Sequence, residues 1–567
     1  MSSHWKVMIL VLTVVITLLL GPAISQAISP PAYRITANRD ANSFTLGENE
    51  PLQVHVNQDQ TRTFSFDRPV TGLISRNPTV ANLKVENGAI KAQGLLPGRT
   101  GMRISFEGGT TLFMGLRVDH PDGSLPGLPG PVALGSVSED CGSHVAFWQD
   151  HVPGPKGTRM DIRYIYLCGG PDTGWHTWYK RVEQFTANSL IWGMVPFFVF
   201  YNIPDKDESA EIDLQNVRSR EYMQAYYEDL NRFLTQAKAV MQGELYGVVV
   251  EPDFLGYMQK DVNTDPSKIT TADGNLVTTV TRINQTIAQA KAGGQNILFG
   301  WQLNLWADAP SIPTNKGVIR LTDDDLQGWV KGRETIVQAA TNTANYALAA
   351  GVLSHGADFL VIDKYGVDGG CITPPNPVDA SAYFWNNDHW MNYLLFVNTL
   401  SQVSGKPVVL WQLPISHING STTISARTGN PFPALPNIKT KFEDSSTTFF
   451  FGDAFEAVGN VFDLPSPTRL SFFGQNQAKD PTLKVSGNRI TWGNHLDILP
   501  EYGVLCALFG QGGSDYSTWG IPPRSDTEPY QPPADDYFWI QKVQNYYQEH
   551  LHHRRSIATI VQLLLVQ

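Results

Sequence analysis

The chain has 567 residues, of which 42% are hydrophobic and 17% charged, and its formal net charge is −11. This length predicts two or three domains, and the composition is typical of a globular protein with a large core. The acidic balance argues against nucleic acid as a partner but does not separate a neutral substrate from a solubilising surface. The four cysteines form no C-x-x-C pair, so no thiolate metal site is expected, while disulfides and buried thiols both stay open.

The N-terminus has the layout of a secretory signal peptide over residues 1–27. Lys6 precedes the apolar run 8–20, and the small residues Ser25 and Ala27 define a cleavage site. The run is short for a membrane span, although an uncleaved anchor is the alternative interpretation. We therefore expect a secreted, periplasmic or cell-envelope protein with no stable membrane insertion after cleavage, ending in a tail over 551–567.

Residues 28–120 predict a small all-β domain. The segments TRTFSFD (61–67) and GMRISFEGGTTLFMGLRV (101–118) alternate apolar and polar side chains, and Asn87-Gly88 is a hairpin signal. The pattern predicts a β-sandwich of immunoglobulin-like type. A Pro/Gly-rich linker follows over 121–136, so we expect this domain to be separable from a catalytic domain over 137–550.

Beyond the linker, apolar runs alternate with amphipathic stretches such as Met223, Tyr226, Leu230 and Phe233, which keep helical spacing. The predicted strands cover 144–150, 161–170, 191–203, 246–253, 296–306, 358–366, 407–417 and 503–513. Apolar strands separated by helices imply a parallel sheet buried on both faces. Eight such units predict an α/β fold of the (β/α)8-barrel type, regular or distorted, with a doubly wound open sheet as the alternative.

Polar side chains gather at the carboxyl ends of these predicted strands, where a barrel places its active site. They are Asp207 after the third strand, Glu251 and Asp253 on the fourth, Gln302 and Asn304 on the fifth, Asp363 on the sixth, Gln412 on the seventh and Asp515 after the eighth. The strand period of two places Glu251 and Asp253 on one face, pointing into the barrel mouth. Their repulsion would raise one pKa, which suits a general acid. Helix capping is the competing interpretation for Asp253, Asp363 and Asp515.

Aromatic residues also fall near the predicted mouth: Trp148, Trp175, Trp178, Tyr201, Trp301, Trp306, Trp411 and Trp519. Flat rings that bind pyranose faces, beside polar groups that bind hydroxyls, are typical of a sugar-binding groove, although aromatic residues also build cores. The predicted substrate-binding residues are Tyr201, Glu251, Gln302, Asn304, Trp301, Trp306, Gln412 and Trp175.

Two segments resemble motifs of glycoside hydrolase family 6. FFVFYNIPDKDES (197–209) is similar to the family's strand-3 motif Y-D-L-P-D-R-D-C, and VVVEPDFLG (248–256) is similar to its strand-4 motif E-P-D-[SA]-L. The resemblance covers about residues 190–260, and other phrases resemble little-characterised exported bacterial proteins. It implies that Asp253 is the general acid, that Asp207 tunes the pKa of Asp253, and that Tyr201 contacts the sugar at the cleaved bond.

The chain also departs from that family at several positions. Asn202 stands where the family has Asp, and Glu208 stands where it has a disulfide Cys. The segment FGQGGSD (509–515) lacks the Lys and Glu of the family's strand-8 motif and leaves Asp515 as the one counterpart there. The general base is therefore assigned less directly than the acid.

These features together predict an inverting glycoside hydrolase that cleaves a β-linked polysaccharide, with β-1,4-glucan the first candidate. Asp253 would protonate the glycosidic oxygen while Asp363 or Asp515 deprotonates a water, with the carboxyl groups about 6.5–9.5 Å apart. No G-x-S-x-G, H-E-x-x-H or G-x-x-x-x-G-K-[ST] motif occurs, so no cofactor and no metal is expected. A noncatalytic polysaccharide-binding barrel and a structural envelope protein are the alternatives, and the oligomeric state is not predicted.

Overall fold

The computed structural model describes residues 39–48, 50–170, 178–205, 207–308, 317–323, 328–364, 385–436, 441, 443–461, 467–510 and 520–550, without the side chains of 178–180. Several predictions fall outside these residues: the signal peptide, the C-terminal tail, Trp175, Asp515, Trp519 and the side chain of Trp178.

The strands are, in chain order, β1 (Ser43–Phe44), β2 (Gln53–Asn57), β3 (Thr61–Phe66), β4 (Val70–Ser75), β5 (Ala81–Glu86), β6 (Ala89–Gly94), β7 (Gly98–Phe106), β8 (Thr111–Asp119), β9 (Ala133–Val137), β10 (Ile162–Cys168), β11 (Val195–Tyr201), β12 (Leu245–Val250), β13 (Thr270–Thr271), β14 (Gly274–Asn275), β15 (Asn296–Leu303), β16 (Phe359–Asp363), β17 (Val408–Leu413), β18 (Gly452–Glu456), β19 (Lys484–Ser486), β20 (Arg489–Asn494) and β21 (Val504–Phe509).

The α-helices are α1 (Gly142–Trp148), α2 (Trp178–Ile191), α3 (Ala210–Arg218), α4 (Arg220–Met241), α5 (Phe254–Tyr257), α6 (Leu276–Ala292), α7 (Trp329–Ala349), α8 (Asn387–Ser404), α9 (Ser446–Phe451), α10 (Arg469–Phe473) and α11 (Phe538–Glu549).

Eight parallel strands form a closed barrel, which confirms the predicted (β/α)8 architecture. Their order is β9-β10-β11-β12-β15-β16-β17-β21, and β21 pairs with β9 to close the ring. Inward side chains such as Val199, Val249 and Val361 fill the barrel. Outward side chains such as Phe198 and Val248 pack with the surrounding helices in a second, larger core.

Seven of the eight predicted barrel strands are present, and the strand predicted over 144–150 is wrong. That segment is helix α1, in which Ala146, Phe147 and Trp148 are consecutive buried residues. The remaining strand is β9, which crosses the end of the predicted linker 121–136. Its sequence, ALGSV, is short and consists mostly of small residues, so it does not stand out from the Pro/Gly-rich segment that precedes it. A Cβ at Gly135 would lie 2.3 Å from Cδ2 of Leu508 and 3.1 Å from Cβ of Ile162, on the two adjacent strands, so the close strand packing favours glycine there.

The N-terminal strands β1–β8 form two four-stranded sheets, ordered β1-β3-β6-β5 and β2-β8-β7-β4, around one shared hydrophobic core. The pairs β1–β3 and β2–β8 are parallel. A small all-β unit therefore precedes the barrel as predicted, while its immunoglobulin-like type stays a prediction.

Buried ion pairs join this β-domain to the barrel. Glu244, which directly precedes β12, is fully buried and accepts hydrogen bonds from Arg99 of β7 at 2.5 Å and Arg117 of β8 at 3.1 Å. Burial raises the pKa of Glu244, but the two guanidinium charges outweigh that effect and lower the pKa to about 2. Gly101 of β7 completes the contact, because a Cβ there would lie 2.6 Å from the carbonyl oxygen of Trp192.

The separability of the β-domain stays a prediction, and these contacts mean that removing the domain would take both arginine partners away from Glu244. Among the described residues, no helix has the length and hydropathy needed to cross a membrane. Cys141, Cys168 and Cys506 are free thiols, and Cys371 lies outside the described residues.

Candidate active site

The segment that follows β12 departs from strand geometry at both of its carboxylates. Glu251 and Asp253 have φ angles of 41° and 63°, in the left-handed region that disfavours side-chain-bearing residues. The alternation of side chains along β12 therefore ends at Val250, and the carboxylates of Glu251 and Asp253 face different surroundings. The prediction that both point into the barrel mouth is wrong for Glu251.

Glu251 is fully buried and faces the loop after β11. Its carboxylate accepts hydrogen bonds from the backbone N–H of Asn202 at 3.2 Å and of Ile203 at 3.0 Å, and from the Tyr226 hydroxyl at 2.8 Å. Burial raises its pKa to about 7, although these hydrogen bonds oppose the rise. Glu251 therefore holds the β11 loop against β12 and helix α4, which corrects its assignment as a substrate-binding residue.

Asp253 is the partly exposed member of the pair. Its carboxylate accepts hydrogen bonds from the Asn304 amide at 2.6 Å and the Tyr201 hydroxyl at 3.4 Å, while its backbone N–H donates to Gln302 Oε1 at 2.7 Å. Burial raises the pKa of Asp253 to about 6, the charge of Glu208 adds to the rise, and the bonds from Asn304 and Tyr201 oppose it. A positioned carboxyl that titrates near neutral pH is suited to general acid catalysis.

The carboxylate that acts on Asp253 from the β11 loop is Glu208, whereas Asp207 was expected there. Glu208 forms a hydrogen bond with the Tyr201 hydroxyl, so this hydroxyl lies between Glu208 and Asp253. Burial raises the pKa of Tyr201 well above 10, so the phenol keeps its proton. Asp207 is exposed to solvent. Asp205, with a φ of 57°, redirects the loop just before these residues, and the sequence pattern does not reveal that turn.

Sequence reasoning also missed Asp213, in the first turn of α3. This residue is 1% exposed, and its Oδ1 has no hydrogen-bond partner. Burial, followed by the charges of Glu251, Asp253 and Glu208, raises its pKa to about 8. No motif marks this residue, because an Asp in the first turn of a helix is ordinarily a favourable dipole partner.

Asp213 should make the free energy of unfolding depend on pH. In the unfolded chain its carboxyl ionises near 3.8, whereas the folded pKa is about 8, so between these values only the folded protein retains the proton. Stability contributed by this group therefore falls as pH rises through that window. We expect Asp213→Asn to raise the free energy of unfolding at pH 8 by on the order of 1–3 kcal/mol, with little change at pH 4. Denaturant unfolding at both values checks this, and equal effects at pH 4 and pH 8 would contradict it.

Gln302 connects the acid candidate to the next strand. It is fully buried at the end of β15, where its Nε2 donates to Asp363 Oδ1 at 2.9 Å and its Oε1 accepts from Asp253 N–H. Gln302 is thus a positioning residue, and its assignment to substrate binding is corrected because both ends of its amide are engaged within the protein. Asp363, 3% exposed at the end of β16, is linked to Asp253 through the Gln302 amide, and its role as the general base stays a prediction.

Three other predicted sugar-binding residues, Trp306, Trp301 and Gln412, lie in different surroundings. Trp306 lies at the mouth, where its ring contacts that of Tyr257 with centroids 5.1 Å apart, and it is half-buried. Trp301 does not lie there, because it is fully buried outside the barrel and donates from Nε1 to Asn284 of α6 at 2.7 Å. Gln412, with a φ of 52° at a β17 irregularity, donates to the Tyr166 hydroxyl at 2.7 Å.

The mouth therefore brings together a partly exposed carboxyl, a tyrosine, a buried asparagine and an aromatic pair. Asn304 is fully buried, and its Oδ1 has no hydrogen-bond partner. Within the described ranges, no three His, Cys, Asp or Glu side chains are arranged to hold a metal ion. Proton transfer to or from a bound molecule is the chemistry that these groups support.

No protein-family model and no curated protein matches this chain. Solved structures similar to it include a family 6 glycoside hydrolase from Orpinomyces, at 11% identity and a TM-score of 0.25, covering 44% of this chain and 59% of that one. A family 26 endo-β-1,4-mannanase from Cellulomonas fimi has 9% identity and a TM-score of 0.34, covering 73% and 70%. Cellobiohydrolase II from Humicola insolens has 13% identity and a TM-score of 0.25, covering 46% and 64%. The chain thus spans less than two thirds of the length of both family 6 enzymes, and TM-scores this low assign no activity.

Proposed function

We propose that the protein is a glycoside hydrolase with Asp253 as its general acid. The observation that carries this proposal is a partly exposed carboxyl at the end of β12 whose pKa of about 6 lies close to neutral pH. The half-buried rings of Trp306 and Tyr257 beside it offer flat surfaces for a pyranose. A β-linked polysaccharide is the proposed substrate, with β-1,4-glucan first among neutral candidates.

The proposed reaction is inverting hydrolysis. Asp253 transfers its proton to the glycosidic oxygen as the bond from C1 to that oxygen breaks. Asp363 takes a proton from the water whose oxygen forms the new bond to C1, with Asp515 as the alternative base. Gln302 would hold Asp363 and Asp253 at a fixed separation, since the two ends of its amide bind one residue each.

The decisive experiment incubates the purified protein with soluble β-1,4-glucan, β-1,4-mannan, β-1,3-glucan and xylan and measures the release of reducing ends. Asp253→Asn is the control, and proton NMR of the first product reports the anomer. We expect release of an inverted product by the wild type and none by the variant. Glycan binding without release would favour a noncatalytic polysaccharide-binding barrel.

Glu208 and Asp207 provide a matched pair for testing how the acid is tuned. Removing the Glu208 charge should lower the pKa of Asp253, because a like charge raises it. We expect Glu208→Gln to move the basic limb of the kcat/KM–pH profile to lower pH by about 0.5–1 unit, whereas Asp207→Asn leaves it in place. A shift in Asp207→Asn alone would return the tuning role to Asp207.

Export of the protein is the last part of the proposal. Residues 1–27 are proposed to be a cleaved signal peptide, which directs the protein to the cell envelope or the medium. Mass spectrometry of the mature N-terminus tests this, and an intact residue 1 on the exported protein would contradict it.

A further inference from the structure

A histidine of the β-domain has a carboxylate at each of its two ring nitrogens. His55 lies on β2, where its Nδ1 is 2.9 Å from Asp119 Oδ2 and its Nε2 is 2.7 Å from Asp40 Oδ1. A neutral imidazole has one N–H donor and one acceptor, so it cannot donate to both carboxylates. The imidazolium form donates from both nitrogens, and it is therefore the form that this geometry accommodates.

Asp119 connects this histidine to the ion pairs at the barrel. Arg117, the register partner of His55 on β8, contacts Asp119 Oδ1 at 2.5 Å and Oδ2 at 3.0 Å, and its NH1 contacts Glu244 at 3.1 Å. With a protonated ring, the residues Asp40, His55, Asp119, Arg117 and Glu244 form a chain of alternating charge. The side chains of Asp119 and Glu244 are 2% and 0% exposed, so solvent ions screen this part of the chain little.

A second link to the barrel runs through the N-terminal segment that carries Asp40. Arg39, the residue before Asp40, donates to the carbonyl oxygen of Met241 at 2.6 Å, at the end of α4. Two consecutive residues therefore contact the barrel and His55. Arg62 of β3 is also charged and lies here, but it donates to the carbonyl oxygens of His55 and Asp40, and these bonds do not depend on the state of the ring.

The surroundings of the ring favour its charged form. The hydrogen bond to Asp119 raises the pKa of His55 above 6.5, the bond to Asp40 adds to the rise, and burial and the charge of Arg117 oppose it. The stability that this group contributes is therefore complete below pH 6.5 and falls as pH rises through the folded pKa. A ring that has lost its proton offers one donor and no charge, so Asp119 relies more on Arg117, which it shares with Glu244.

We propose that His55 is a proton-dependent clamp: its charged ring strengthens the docking of the β-domain on the barrel, and loss of the proton weakens that docking. Glu244 precedes β12 and Asp253 follows it, so the clamp acts at the end of the strand opposite the candidate general acid. It is a property of the domain junction and does not depend on the proposed hydrolase activity.

Hydrogen exchange followed by mass spectrometry tests the docking. The backbone N–H of Leu245 donates to Glu244 Oε1 at 2.7 Å, so peptides that cover 241–250 report on the junction. The full chain and its His55→Gln variant are compared at pH 6 and pH 9. We expect the variant to exchange about tenfold faster in these peptides at pH 6 and to match the wild type at pH 9. His355→Gln, at an exposed histidine of the barrel, should match the wild type at both values.

An NMR titration of carbon-13-labelled histidines tests the charge on the ring, since the His55 signal is the one that is missing from His55→Gln. We expect its midpoint above pH 6.5 in the wild type and lower in Asp40→Asn, which changes an exposed carboxylate. A wild-type midpoint at or below 6.5 would overturn the proposal, as would equal exchange of the wild type and His55→Gln over 241–250 at pH 6. Faster exchange confined to peptides of the β-domain would also overturn it, because the proton would then act without reaching the barrel.

Discussion

Asp253→Asn is expected to reduce kcat on an unactivated polysaccharide by about 10²–10⁴-fold, because a positioned general acid contributes that much to the rate. The amide that replaces the carboxyl has no acidic proton to transfer to the leaving oxygen. Asn304 and Tyr201, which contact the carboxylate, remain in place to bind the new side chain. Binding of substrate and the free energy of unfolding should therefore change little. Steady-state kinetics on the substrate found in the panel measure the effect.

A substrate with a good leaving group is the control for this prediction. An aryl glycoside whose phenolate leaves without protonation should be cleaved by Asp253→Asn with a much smaller deficit. If the variant is equally impaired on both substrates, Asp253 has a role other than acid catalysis. Near-wild-type turnover on the polysaccharide would remove Asp253 from the mechanism.

Glu244→Ala is expected to lower the free energy of unfolding by about 3–5 kcal/mol, because removing one partner leaves buried charges uncompensated. Arg99 and Arg117 would remain at the junction of the β-domain and the barrel without their shared carboxylate. Glu244 directly precedes β12, the strand that leads to Asp253, so a disturbed junction should also lower activity. Chemical denaturation and kcat/KM measurements on the same preparations test both effects.

Glu86→Ala is a matched control on the same β-domain. Its pair with Lys91, at 3.2 Å, is nearly half exposed on both sides, so its loss should cost less than about 1 kcal/mol. A similarly small effect of Glu244→Ala would contradict this prediction, and a stable and fully active fragment that lacks residues 39–119 would confirm the predicted separability of the β-domain.

Much of the candidate site follows from patterns within single strands. Pro252 interrupts the ladder after an apolar run, and this pattern alone places Glu251 and Asp253 at a strand end. The direction of each side chain does not follow, because two left-handed residues break the alternation on which it depends. Trp301 is the opposite case, because the direction of its side chain does follow from the sequence. It lies next to Gln302, which points inward, so regular alternation along β15 already places Trp301 outside the barrel.

The sequence by itself determined seven of the barrel strands, the all-β unit before them and the position of Asp253, because burial on both faces of a parallel sheet leaves continuous apolar runs. Closure by β9, the docking through Glu244, and the meeting of Glu208 and Asp213 with Asp253 were decided by tertiary structure alone. Each of these depends on contacts between segments far apart in the chain or on a local backbone turn. A charge acquires its surroundings, and therefore its pKa and its chemistry, only when those segments come together.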